Sequence, residues 1–132
     1  MDYVVLDLEW NQCPYGKEKE NKNIPFEIIE IGAVKLNDRR ECIDKFSQLI
    51  KPTVYKEIHY YTKNMLSITM KDLKNGVSFP KAMNMFLEWC GEDFIFCTWG
   101  ASDLVELQRN MEYYGMPPLA EGPFKFYDVQ KV

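Results

Sequence analysis

No window of the sequence holds the roughly 18 consecutive apolar residues that a membrane-crossing helix needs. Residues Met1 to Glu9 carry neither a basic leader nor a small-residue cleavage site. A soluble, cytoplasmic protein with no membrane partner is therefore expected. Cysteine is sparse and poorly spaced for chemistry: Cys13, Cys42, Cys90 and Cys97 form no C-x-x-C pair, which argues against a zinc site or a disulfide framework and leaves reduced structural thiols. Only one histidine is present, His59, and its place in a basic stretch reads as a partly exposed or satisfied residue rather than a general base. Neither an internal repeat nor a low-complexity tract interrupts the chain. Positive charge is also short. A formal charge of −4 argues at first against a nucleic-acid partner, because phosphate contacts need Lys and Arg.

The total conceals a local asymmetry. Between Lys51 and Lys81 stand Lys51, Lys56, Lys63, Lys71, Lys74 and Lys81 against only Glu57 and Asp72, interleaved with Tyr55, His59, Tyr60 and Tyr61. Such a pattern can follow a phosphate backbone while bases stack on the rings, although a solvated helical face would look similar. Apolar residues make up 46% of the 132 positions and aromatics 14%, enough for one domain with one core and too much for disorder.

Local patterns order the chain as follows. Tyr3 to Leu8 is a nearly continuous apolar run, which predicts a central strand buried on both faces. Asn11 to Asn23 is polar, with Pro14, Gly16 and alternating Lys and Glu, and reads as an exposed loop. Ile28 to Leu36 and Glu41 to Ile50 predict two more strands joined at Asn37-Asp38, so an antiparallel meander is the economical topology. From Tyr55 to about Leu73 the apolar spacing suits short helices, stopped at Asn75-Gly76. Phe79-Pro80 opens a clearer helix through Ala82, Met83, Phe86, Leu87 and Cys90, with Gly91 at its end. A buried strand over Phe94 to Trp99 precedes a helix running to about Tyr114, for which Ser102 is the expected N-cap. Strands alternating with helices after a meander point to an α/β layered domain with a mixed sheet.

Asp7-Leu8-Glu9 sets two carboxylates at i and i+2, on one side of the first strand and with Cα atoms roughly 6.6 Å apart. Two such groups can share a pair of hard cations that flank a phosphodiester, and oxygen-only ligands suit Mg²⁺ or Mn²⁺. Alone, a D-x-E pair is equally compatible with strand-end acids facing water. Trp99-Gly100-Ala101-Ser102-Asp103 adds a third acid in the first turn of a helix, where the positive end of the macrodipole favours an anion. Both features lie at carboxyl ends of strands, where open α/β sheets place ligands. Glu27 and Glu30 alternate with Ile and belong to the sheet or its rim, and Asp128 reads as a helix cap.

Asp7-Leu8-Glu9 followed by Glu27-Ile28-Ile29-Glu30-Ile31-Gly32-Ala33-Val34 resembles the first motif region of DEDD 3′-to-5′ exonucleases, and Trp99-Gly100-x-x-Asp103 resembles their second motif. Met65-Leu66-Ser67-Ile68-Thr69 is similar to the turn that wedges the terminal nucleotide in that superfamily. The likeness extends over nearly the whole chain and is greatest to the DEDDh branch, the relatives of ribonuclease T and of the Eri-like and KapD-like enzymes. It implies a ribonuclease H-like fold over residues 1–132, with Asp7, Glu9 and Asp103 as catalytic, metal-binding residues for two Mg²⁺ or Mn²⁺ ions. Leu8, Trp10, Met65 and Leu66 would contact the 3′ end of a single strand of RNA or DNA, from which nucleoside monophosphates would be released. The superfamily's third motif, H-x-x-x-x-D, is absent, since no His follows Asp103. The chain is thus expected to be either a fragment ending short of that motif or a natural short form, with weak or no turnover by itself. A catalytically dead module that binds nucleic acid or protein on the same fold is the competing expectation.

Overall fold

The computed structural model describes residues 1–119 and 126–129. Five strands form one mixed sheet in the order β3-β2-β1-β4-β5. β1 (Asp2–Gln12), β2 (Phe26–Leu36) and β3 (Cys42–Leu49) make the antiparallel meander, while β4 (Phe94–Thr98) and β5 (Phe126–Asp128) are parallel to β1. Among the described residues four α-helices accompany them, α1 (Tyr60–Met65), α2 (Met70–Lys74), α3 (Phe79–Cys90) and α4 (Ser102–Tyr113), with a short 3-10 helix at Lys17–Lys19. This is the expected α/β mixed sheet with the ribonuclease H-like arrangement. No helix among the described residues is long and apolar enough to cross a membrane.

Strand alternation decides where the core sits. Val4, Leu6 and Leu8 of β1, with Ile28, Ile31 and Ala33 of β2, are buried against Ala82, Met83 and Phe86 of α3 and Leu104, Leu107 and Met111 of α4. Fully burying one such Leu or Phe stabilises by about 1.5–3 kcal/mol. The odd residues of β1 point the other way, and Asp7 among them is exposed. Here the structure corrects the expectation of a strand buried on both faces: both long helices pack on one side, so the second face is only partly covered. β1 also runs four residues past Leu8, taking Asn11 and Gln12 out of the expected loop. It is held there by pairing of Trp10, Asn11 and Gln12 with Ile28, Glu27 and Phe26.

Caps follow the sequence at some ends and not at others. Ser78 caps α3 by accepting from the Lys81 amide, and Gly91 ends it at φ 79°, a conformation that only glycine adopts cheaply. Thr69 and Asp72 form a reciprocal capping box on α2. Ser102 does not cap α4; Ala101 holds the cap position without a side-chain bond, and Ser102 is the first helical residue. Asp128 stands just ahead of residues 130–132, which lie outside those described, where the helix it is expected to cap would continue. It ends β5 and accepts the Gly100 amide at 2.8 Å, fixing the turn that leads into α4. All four cysteines are free thiols, with Cys13, Cys90 and Cys97 buried.

Candidate metal centre and nucleotide cleft

The parallel ladder between β1 and β4 ends at Val5 and Cys97, so the carboxyl half of β1 projects beyond β4. Asp103, in the first turn of α4, fills that gap: its Oδ2 accepts the Leu8 amide at 3.4 Å, 95 residues away in sequence. α4 is aligned for this by Asn110, about two turns further on and almost fully buried. Its Oδ1 accepts the Ile28 amide at 3.1 Å and its Nδ2 donates to the Phe26 carbonyl at 3.0 Å. The first half of β2 thus holds α4 at one end and β1 holds it at the other.

A break in the sheet lies at the same level. Glu9 pairs with Glu30 but Trp10 pairs with Ile28, so Ile29 is an extra residue bulged out of β2. Such bulges re-aim side chains and sharpen local twist. Opposite Asp7 stands Gly32, where a Cβ would come within 3.1 Å of the Asp7 carbonyl oxygen, so the close pairing of the two strands at the first acid favours glycine.

Asp7, Glu9, Asp103 and Glu30 form the acidic group that results. Burial, and then the charges of Asp7, Glu30 and Asp103, push the Glu9 carboxyl above the usual range. Asp103 is also raised, first by desolvation and further by Asp7, with the Leu8 amide opposing. Among the described residues no three acid, His or Cys side chains already stand as a closed ligand set. The donor chemistry nevertheless fits a hard divalent cation: all ligands are carboxylate oxygens, they repel one another, and the exposed Asp7 has room to change rotamer.

A pH prediction follows from these directions. For an acid whose pKa is higher folded than unfolded, the folded state binds more protons between the two values, and stability falls as pH rises through that interval. Without divalent ion, the protein is expected to gain thermal stability as pH drops through the raised values of Glu9 and Asp103 toward the ordinary carboxylate range. Glu9→Gln is expected to flatten that gain in a Tm-versus-pH series; an unchanged slope counts against the repulsion.

Next to the acids lies a cleft of about 290 Å³. Leu8, Glu9 and Asp103 line it from the sheet and α4; Trp10, Gln12 and Phe26 line it from the paired ends of β1 and β2; Tyr61, Thr62, Met65 and Leu66 close it from α1 and the residue after it. Six of the seven residues expected from sequence meet here. The seventh, Asp7, is not part of the lining but is near enough for its charge to act on both Glu9 and Asp103. Leu8 and Trp10 also have structural duties, since the Leu8 amide is taken by Asp103 and the Trp10 carbonyl accepts the Thr62 hydroxyl at 3.4 Å. Sequence reasoning missed Phe26, Tyr61, Thr62 and Gln12, and only Tyr61 had a signal, its place in the aromatic and basic stretch.

Two buried polar side chains mount the α1 wall, and neither was legible as such. Glu27, 2% exposed, accepts the amides of Thr53, Val54 and Tyr55 at 2.9, 2.9 and 3.0 Å. Asn11, fully buried, donates to the Glu57 carbonyl and accepts the His59 amide, both at 2.9 Å. His59 is the N-cap of α1, its Nδ1 accepting the Tyr61 amide at 3.1 Å. That is a satisfied structural role, as expected. Tyr55, counted above among the rings of the basic stretch, is instead buried, with its hydroxyl on the Ile24 carbonyl.

With this geometry in view, the comparisons with known proteins are specific. The family model for exonucleases of the RNase_T type matches residues 4–121. The chain belongs to the RNase_T exonuclease family. Among curated proteins, this family member is 30% identical over 115 residues to the probable 3′-5′ exonuclease KapD of Bacillus subtilis, covering 86% of this chain and 55% of that protein. It is 31% identical over 110 residues to DNA polymerase III PolC-type of Clostridium perfringens, covering 83% of this chain and 7% of that one. The chain thus spans about half of one relative and a small part of the other. Among solved structures, the nuclease domain of 3′hExo, a DEDDh family member bound to rAMP, superposes with a TM-score of 0.79 at 20% identity, over 98% of this chain and 67% of that one. Cell-death related nuclease 4 gives 0.72 at 18% identity over 87% of this chain and 40% of that one. These likenesses are of fold: the sheet and helices superpose on those of a DEDDh family member and of a second nuclease.

Proposed function

We propose that this chain carries the metal-binding part of a 3′-to-5′ exonuclease that removes nucleotides from the 3′ end of single-stranded RNA or DNA. One observation carries the reading: Glu9 and Asp103, from elements 94 residues apart in sequence, line one nucleotide-scale cleft with raised proton affinity, in a chain of this exonuclease family. Asp7, Glu9 and Asp103 would hold Mg²⁺ or Mn²⁺, which when bound would polarise the phosphoryl group and neutralise charge developing on it. The protein's own contributions are positional. Asp103 is held to β1 by the Leu8 amide, so its carboxylate keeps one orientation before substrate arrives. Met65 and Leu66 offer apolar surface to the terminal base and sugar, and Trp10 with Phe26 closes the opposite wall. Support for a single-stranded substrate comes from structural neighbours solved with oligonucleotides, such as Exonuclease I of E. coli with dT13, superposing at 0.68 with 10% identity over 90% of this chain and 25% of that one. A positioned general base is typically worth roughly 10²- to 10⁴-fold, and none of this chain's described residues supplies one. Turnover by the chain alone is correspondingly low.

The test is release of nucleoside monophosphate from a 5′-labelled oligonucleotide by the complete protein in Mn²⁺. A ladder shortening from the 3′ end that stops when the ion is chelated is expected. Binding of the oligonucleotide with no metal-dependent shortening would instead favour a module that binds without cleaving.

A further inference from the structure

We propose that Tyr60 and Tyr61, clustered ring against ring with His59, form a platform on which unpaired bases of the nucleic-acid strand stack as its 3′ end enters the cleft. This rests on the exonuclease reading above and adds the residues that would select a single strand. The three rings form one mutual cluster: His59 stacks on Tyr60 at 4.7 Å and 25°, and Tyr61 is tilted against both, by 46° to Tyr60 at 4.3 Å and by 38° to His59 at 4.9 Å between centroids. Tyr60 is 59% exposed and Tyr61 56%. Two large exposed rings side by side form an apolar patch that folding does not require, because the core is already filled by other residues.

The rings are also held outward. Asn11 clamps both sides of the turn through Glu57 and His59, the Thr62 hydroxyl donates to the Trp10 carbonyl, and Gln12 Nε2 lies 3.5 Å from His59 Nδ1. Every one of these tethers comes from the end of β1 that carries Glu9. Tyr61 lines the cleft beside Glu9 and Asp103, so the stack is continuous with the site. Lys56 and Lys63, which flank it in sequence, are exposed and suitably charged for the phosphates of a strand whose bases lie on the rings. A duplex presents no free base faces to such a platform, which is why it would favour unpaired ends.

The experiment is a fluorescence-anisotropy titration of a short labelled oligothymidylate, with no divalent ion added, against the wild-type protein and Tyr60→Ala/Tyr61→Ala. Stacking losses of this kind weaken binding by about tenfold or more for the pair of rings, while Tyr60→Phe/Tyr61→Phe stays within about twofold of wild type. An abasic oligonucleotide of equal length is expected to bind weakly and equally to wild type and the Ala pair. Unchanged thymidylate affinity in the Ala pair, abasic binding as tight as thymidylate, or no binding by wild type overturns the proposal. A parallel Mn²⁺ titration keeps the two readings apart: loss of metal binding with stacking intact would sink the nuclease reading alone, and intact metal binding with indifferent tyrosines would sink only the platform.

Discussion

Asp7→Asn is expected to abolish Mn²⁺ binding and, in the complete protein, to lower hydrolysis by at least about a thousandfold, since metal stabilisation of the transition state is worth several kcal/mol and each 1.4 kcal/mol is tenfold. Asp7 is the informative position because it is exposed and its side chain has no part in the core, so the fold does not depend on it. Removing its charge also relieves Glu9 and Asp103, both of which it pushes toward the protonated form. The metal-free variant is therefore expected to be as stable as wild type or slightly more so. Calorimetric titration with Mn²⁺ and a thermal melt on the same sample make the check. Retained Mn²⁺ binding would remove Asp7 from the ligand set, and a large fall in Tm would mean the carboxylate is structural.

The second large effect is structural and lies away from the acids. Glu27→Ala strands three backbone N–H groups beneath the segment that leads to α1, at a cost of about 3–5 kcal/mol, since the carboxylate is buried and each bond to it is charge-assisted. For a chain of this size that is a drop in Tm of roughly 10–20 °C. Glu27→Gln is expected to recover part of it, because one amide oxygen can still accept two of the bonds while the amino group faces the third donor. A Tm within about 2 °C of wild type for the Ala variant would show that water takes over the three amides. Segment 51–59 carries Lys51 and Lys56 and ends on the ring stack, so oligonucleotide binding is expected to fall together with stability.

The contrast between Asp7 and Glu27 shows what could be read from sequence. The D-x-E pair, the W-G-x-x-D turn and the meander are local patterns: their meaning is set by strand alternation, helix starts and residue chemistry within a few positions. Glu27 occupies the same kind of position as Glu30, alternating with Ile, and nothing local separates the acid bonded to Ser47 near solvent from the one buried under three amides. Their difference is fixed by chain arriving 26 to 28 residues later. Asn11 and Asn110 were illegible for the same reason, their partners lying 46 to 84 residues away. The run Tyr3 to Leu8 misled in the opposite direction. Its nearly continuous apolar character predicts burial on both faces, but coverage of a face depends on where α3 and α4 pack, which the composition of one strand does not contain.

β1 carries Glu9 and, two residues later, Asn11, the clamp of the ring stack. The spacing between the acid that would stand beside the reacting phosphate and the surface that would receive the incoming strand is then a covalent length, about 6.6 Å of extended backbone, rather than a product of helix packing. Such a ruler resists loosening of the core, because a strand paired on β2 cannot stretch. It is intolerant of a change in count: one residue inserted between Glu9 and Asn11 would turn the amide to the opposite face of the sheet and cut the stack loose, leaving Asp7 and Glu9 where they stand.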